Sequence, residues 1–191
     1  MTVLHVRELS HGPIQGLTAS WSAGVHGVCG DEACGKTTLL RLLAGDVQPT
    51  AGQVTRPEGG VFWVDLQGAE HDDTTVPACW DALRAQHPRW STDLLQDLAE
   101  ALDLTQHLDK RLHMLSAGSR RKVMVAAALA SGAAVTLLDQ PFAALDWKSI
   151  RVIHGFLQEA AEHTSRAWIV ADHQMPDGVR RASVLNLGEL R

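Results

Sequence analysis

Nothing in this chain of 191 residues reads as a membrane span. Its most apolar stretch, VMVAAALASGAAVTLL, is interrupted by Ser131, Gly132 and Thr136 and breaks into helix, turn and strand. Cysteine is scarce: Cys29, Cys34 and Cys79 are an odd number without metal-ligand spacing. That argues against a disulfide scaffold or a zinc site and for a reducing, cytosolic compartment. Positive charge is scarce too, with 17 Lys and Arg against 22 Asp and Glu, a net charge of -5 and a pI near 6.0. The longest basic run is Arg120-Arg121-Lys122, so no nucleic-acid partner is expected. The opening MTVLHVRELSHG has no charged-then-apolar pattern, so no secretory leader is expected. Repeats and low-complexity tracts are absent.

What is present is the composition of one globular domain, 45% hydrophobic and 20% charged, too short for two large domains. Short strands are expected at Val3–Val6, Val25–Cys29, Val61–Leu66, Ala134–Leu138, Ala167–Ala171 and Val184–Leu187. Between them, Leu39, Leu40, Leu42 and Leu43 give a helix stopped by Gly45, and PTAGQVTRPEGG reads as turns. STDLLQDLAEALDL places leucines at helical spacing behind a Ser91 cap. SAGSRRKVMVAAALA and Ile150–Ala161 are further helices. Alternating strands and helices indicate an α/β domain with a largely parallel sheet.

The strongest motif is Gly30-Asp31-Glu32-Ala33-Cys34-Gly35-Lys36-Thr37, followed by Thr38, which fits G-x-x-x-x-G-K-[ST] between an apolar strand and a helix. Backbone amides wrap a phosphate and the helix N-terminus adds its dipole. Lys36 would reach the β and γ phosphates of a nucleotide and Thr37 would offer its hydroxyl to Mg²⁺. Asp31 and Glu32 are unusual so near a polyanion and are expected to face solvent. Cys34 is either a thiol whose alkylation blocks the loop or a small residue that fills it. Later, VTLLD ends in Asp139 at the mouth of a buried strand, followed by Gln140, an amide where a carboxylate base would serve hydrolysis best.

Leu115 to Val123, LSAGSRRKV, resembles the signature of ATP-binding cassette (ABC) ATPases, with Ala117 and Ser119 as departures. The other landmarks of that family follow in order along nearly the whole chain. Gln67 is similar to the Q-loop glutamine, Thr75-Val76 to the start of the helical subdomain and Asp139 to the Walker B aspartate. Ala144-Leu145-Asp146 is similar to the D-loop and His173 to the switch histidine. His11 stands near the position of the aromatic residue that stacks on adenine. Brevity, LSAG, DQPFAALD and His-Gln-Met-Pro resemble the small ATPase type of the cytochrome c maturation haem exporter.

The resemblance implies a P-loop NTPase fold, with an ABC-type RecA-like core, a small antiparallel β subdomain and a short helical subdomain. It makes residues 1–191 one domain, with the core at about 1–70 and 115–191 and the helical lobe at about 71–114. It implies ATP and Mg²⁺, the metal at Thr37, Gln67 and Asp139. Gln140, His173 and Gln67 take the catalytic positions, and Ser116 and Gly118 bind the γ-phosphate held by a second copy. The partners implied are a head-to-tail homodimer formed on ATP and an integral-membrane permease, with the chain peripheral on the cytoplasmic face. The family places a glutamate at position 140. An amide there holds a water but cannot accept its proton, which predicts hydrolysis slowed by about 10²–10⁴. Gln140 is then the mark of a naturally slow cassette, or of a substitution made to trap the ATP complex. A non-transport ATP-dependent switch or assembly factor is the alternative function. A chromosome-maintenance or translation ATPase would need a long coiled-coil insertion, a second cassette or a basic surface, none of which is present.

Overall fold

The computed structural model describes residues 2–66 and 68–189. Two sheets organise the chain. Strands β1 (Thr2–His11), β2 (Ile14–Ser22) and β4 (Ala51–Thr55) form an antiparallel sheet in the order β2-β1-β4. Strands β3 (Gly24–Cys29), β5 (Val61–Phe62), β6 (Val135–Asp139), β7 (Ala167–Asp172) and β8 (Ser183–Asn186) form the second sheet. Its order is β5-β6-β7-β3-β8, with every pairing parallel.

The parallel sheet is covered on both faces, and its strands therefore carry unbroken apolar runs. Val135, Leu137, Ile169 and Ala171 pack toward helix α1 (Lys36–Ala44) and the antiparallel sheet. Leu138, Trp168 and Val170 point the other way, into a core shared with α4 (Ala117–Ala130) and α5 (Trp147–Ala160). Two further helices, α2 (Val76–Arg84) and α3 (Thr92–Ala101), extend that core. The Trp80 indole N–H donates to the Val123 carbonyl at 3.0 Å, fastening α2 to α4. Helix ends follow the sequence signals. Gly45 closes α1 at φ 91°, Ser91 caps α3 through the Leu94 amide, and Thr75 caps α2 through the Ala78 amide.

Three expectations need correction. The strand expected at Val61–Leu66 pairs only through Val61 and Phe62, opposite Val135 and Thr136, because β5 is a short sheet edge. The segment read as turns contains β4, an edge strand whose residues are nearly all exposed and show no apolar alternation. The first strand runs to His11, well beyond Val6, and is followed by β2, for which no strand is expected. The remaining elements lie within a few residues of their expected limits.

Candidate nucleotide site

The site grows from the ends of β3, β6 and β7. After Cys29 the chain turns through Gly30 at φ 149°, Ala33 at φ 57° and Gly35 at φ 107° before entering α1. Neither outer glycine tolerates a side chain. A Cβ on Gly30 would lie 2.7 Å from Cys34 Sγ, and one on Gly35 would lie 2.9 Å from Pro13 Cγ. Gly35 is the N-cap of α1 and supplies no side-chain acceptor, so no side chain caps the amides of the first turn. Cys34 is buried against Gly30, the position of a small filler. Asp31 and Glu32 are exposed, as expected, Thr37 is exposed, and Thr38 is half-buried.

Lys36 is 6% exposed. Its ammonium donates to the carbonyls of Gly30 at 2.6 Å and Asp31 at 2.7 Å, which turns it back into the loop. It forms no ion pair among the described residues. Beside it the Thr37 hydroxyl donates to Asp139 Oδ2 at 2.5 Å, while Asp139 Oδ1 is buried without a hydrogen-bond partner among the described residues. Burial pushes the Asp139 carboxyl above its ordinary pKa, and the Thr37 hydroxyl and Lys36 pull it partly back. A buried cation without a counter-anion and an orphaned carboxylate oxygen fit a polyphosphate and a divalent cation.

Gln140 follows Asp139 at φ 47°, and its amide donates to the Ala171 carbonyl of β7 at 2.7 Å. It lines a cleft of about 280 Å³ with Pro13, Glu32, Gly35, Lys36 and Thr37. On the other side of the loop lies a concavity of about 540 Å³, lined by Cys29, Asp31, His173 and Arg181 among others. His173 is exposed, and only its backbone amide is held, by Asp172 Oδ1 at 2.7 Å. His11 ends β1 opposite Ile14 in the hairpin whose turn carries Pro13, and it does not line the 280 Å³ cleft. Gln67 lies outside the described residues.

Ser116 caps α4, its Oγ accepting from the Ser119 amide at 3.1 Å. Exposed, it lines neither concavity beside the phosphate loop. Gly118 lies against the D-loop: a Cβ there would be 2.5 Å from the Ala144 carbonyl oxygen. Three cations lock the same region. Arg121, 6% exposed, donates to the Ala143 carbonyl. Lys122 pairs with Asp146 at 2.6 Å, and Arg120 reaches Asp72 and the Gly68 carbonyl. The Lys122 ammonium, followed by the Ser149 amide, holds the Asp146 carboxyl far below its ordinary pKa. The sequence displays this basic run but not its partners. The only signal is its position on the helix after the signature.

A family profile described as ABC transporter matches residues 18–143. The chain is 32% identical over 178 residues to the cytochrome c biogenesis ATP-binding export protein CcmA of Pseudomonas syringae pv. syringae, covering 85% of this chain and 81% of that protein. It is 26% identical over 188 residues to the mouse cholesterol transporter ABCA5, covering 86% of this chain but only 11% of that much longer protein. Among solved structures, a putative ABC transporter ATP-binding protein from Pyrococcus furiosus superposes with a TM-score of 0.78 at 22% identity. That match covers 97% of this chain and 98% of the other, a likeness of fold. The chain belongs to the ABC transporter family and has the fold of its ATP-binding domains.

Proposed function

We propose that the chain is the ATP-hydrolysing subunit of a transporter whose pore lies on another chain. Its helical lobe, about 71–114, would grip that membrane partner at the cytoplasmic face. Among the described residues no helix is long and apolar enough to cross a membrane. The observation that carries the nucleotide reading is the buried Lys36 ammonium, without a carboxylate partner, next to the Thr37–Asp139 contact. In this reading Lys36 and the loop amides of residues 30–38 hold the phosphates. Thr37 and Asp139, with Gln67, would hold Mg²⁺, which neutralises charge on the phosphate oxygens when bound. His11 would lie along the base, and His173 beside the γ-phosphate.

In hydrolysis the water oxygen bonds to the γ-phosphorus, the bond to the ADP oxygen breaks, and the water must shed a proton. Gln140 can orient that water by hydrogen bonding but cannot take the proton, so the bound state persists and turnover is slow. Ser116 and Gly118 line neither of the two concavities beside their own phosphate loop, which supports a head-to-tail dimer closing on ATP, each copy completing the other's site. An isologous two-fold pair is the commonest closed assembly.

Titration of Mg-ATP against the chain and against Lys36→Ala tests the first step, with binding expected only for the unaltered chain. Light scattering in Mg-ATP should then give twice the monomer mass, and ADP the monomer. Equal nucleotide affinity for both proteins would sink the assignment. Binding and dimerisation without any co-purifying membrane protein would favour a non-transport switch.

A further inference from the structure

We propose that Trp147 and Arg151 of one copy dock on the acidic edge, Asp31 and Glu32, of the second copy's phosphate loop, setting the register of the dimer. This rests on the head-to-tail dimer proposed above and goes beyond it by naming a contact outside the nucleotide.

The start of α4 and the D-loop are tied together by three contacts. Arg121 holds the Ala143 carbonyl, Lys122 holds Asp146, and Gly118 sits against the Ala144 carbonyl. Asp146 in turn caps α5 through the Ser149 amide at 2.8 Å. Whatever brings Ser116 and Gly118 to a second phosphate loop therefore carries the first turn of α5 to its flank. That turn bears Trp147, 69% exposed, with the Arg151 guanidinium 4.6 Å from its ring centroid. The neighbouring Lys148 is neutralised by Asp103 at 2.8 Å, whereas Arg151 has no ion pair among the described residues.

The opposing surface has the complementary deficit. Asp31 and Glu32 are exposed with carboxylates unpaired among the described residues, and Lys36 bonds to the main-chain carbonyls of Gly30 and Asp31 rather than to either carboxylate. Two carboxylates beside a polyphosphate site repel the ligand, and a cation laid across them relieves that repulsion. The indole body supplies apolar area of the kind that anchors interfaces. Two-fold symmetry repeats the contact, so one substitution removes two copies of it.

The test is a set of dissociation constants for the dimer in saturating Mg-ATP, from sedimentation or light scattering over graded concentrations. Trp147→Ala and Arg151→Glu are each expected to raise the constant about tenfold or more. The Mg-ATP affinity of the monomer should be unchanged in both. Glu32→Arg alone should also weaken the dimer, and combining it with Arg151→Glu should restore most of the loss. If Trp147→Ala and Arg151→Glu dimerise like the unaltered chain while Ser116→Arg stays monomeric, this contact is overturned and the dimer stands. If the unaltered chain binds Mg-ATP and remains monomeric, the contact and the dimer fall together.

Discussion

Two helical glycines make opposite predictions, and the pair isolates the packing of signature against D-loop. Gly118 lies in the first turn of α4 and Gly155 in the middle of α5. In a helix, alanine is favoured over glycine by about 1 kcal/mol. At Gly155 nothing lies within 4 Å of the place a Cβ would take, so Gly155→Ala should stabilise the fold by about 0.5–1 kcal/mol. At Gly118 the same methyl would sit 2.5 Å from the Ala144 carbonyl oxygen. An ordinary carbon–oxygen contact is about 3.3 Å, so the backbones must separate by roughly 0.8 Å. No rotamer change relieves this, because the obstructing atom is backbone. Moving it also disturbs the neighbouring Arg121–Ala143 and Lys122–Asp146 contacts and the left-handed Ala144, φ 59°.

Overpacking of this kind costs about 1–3 kcal/mol, which offsets the helix gain and leaves Gly118→Ala neutral to about 2 kcal/mol destabilised. The two variants should then differ by about 1–3 kcal/mol in urea unfolding, or about 2–4 °C in midpoint for each kcal/mol in a thermal melt. Circular dichroism suffices to read it. A Gly118→Ala protein as stable as Gly155→Ala would refute the claim that D-loop and signature are packed at backbone contact.

The other predictions concern chemistry and pH. Gln140→Glu should raise the ATP hydrolysis rate by about 10²–10⁴, read as phosphate release; an unchanged rate would mean that the water's proton leaves by another route. His26 is 2% exposed on β3, taking a hydrogen bond from Ser183 and donating one to the Ser22 carbonyl. Burial lowers its pKa, against the Ser22 contact that raises it. The unfolded chain then binds the proton more readily, so stability is full at neutral pH and falls as pH drops below about 6.5. The slope from one histidine cannot exceed about 1.4 kcal/mol per pH unit. His26→Gln, which keeps a donor and an acceptor, should show a shallower loss of stability between about pH 7.5 and 5.5, and parallel curves would rule His26 out as the source.

The parallel half of the fold is legible in the sequence because burial on both faces leaves continuous apolar runs such as VTLLD and WIVAD. The antiparallel half is legible only at Val3–Val6 of β1, and the reason is visible in its register. Ile14, Leu17 and Trp21 are the buried residues of β2, spaced by three and four as on a helix. The three-residue step from Ile14 to Leu17 arises where the β1–β2 register shifts between Leu9 and His11. In β4 the edge position removes the apolar signal altogether. Phosphate-loop residues are readable as a motif because their spacing is set by backbone conformation. Arg121 is not, since its partner is a carbonyl 22 residues away in the chain. No side-chain pattern encodes such a contact.

Gln140 joins the two halves of this reasoning. Its backbone is held at φ 47° by the hydrogen bond to Ala171, at the end of β7, immediately after Asp139 leaves the sheet. A left-handed residue that is not glycine carries strain, and such strain collects where a side chain must be aimed. The strain is a property of the turn, indifferent to whether the side chain ends in an amide or a carboxylate. Exchanging glutamine for glutamate therefore changes proton affinity and charge at a fixed place in the cleft and demands little of the fold. That separation makes the hydrolysis rate of Gln140→Glu a measure of the carboxylate's proton affinity and charge rather than of a changed fold, provided the two proteins unfold at the same urea concentration.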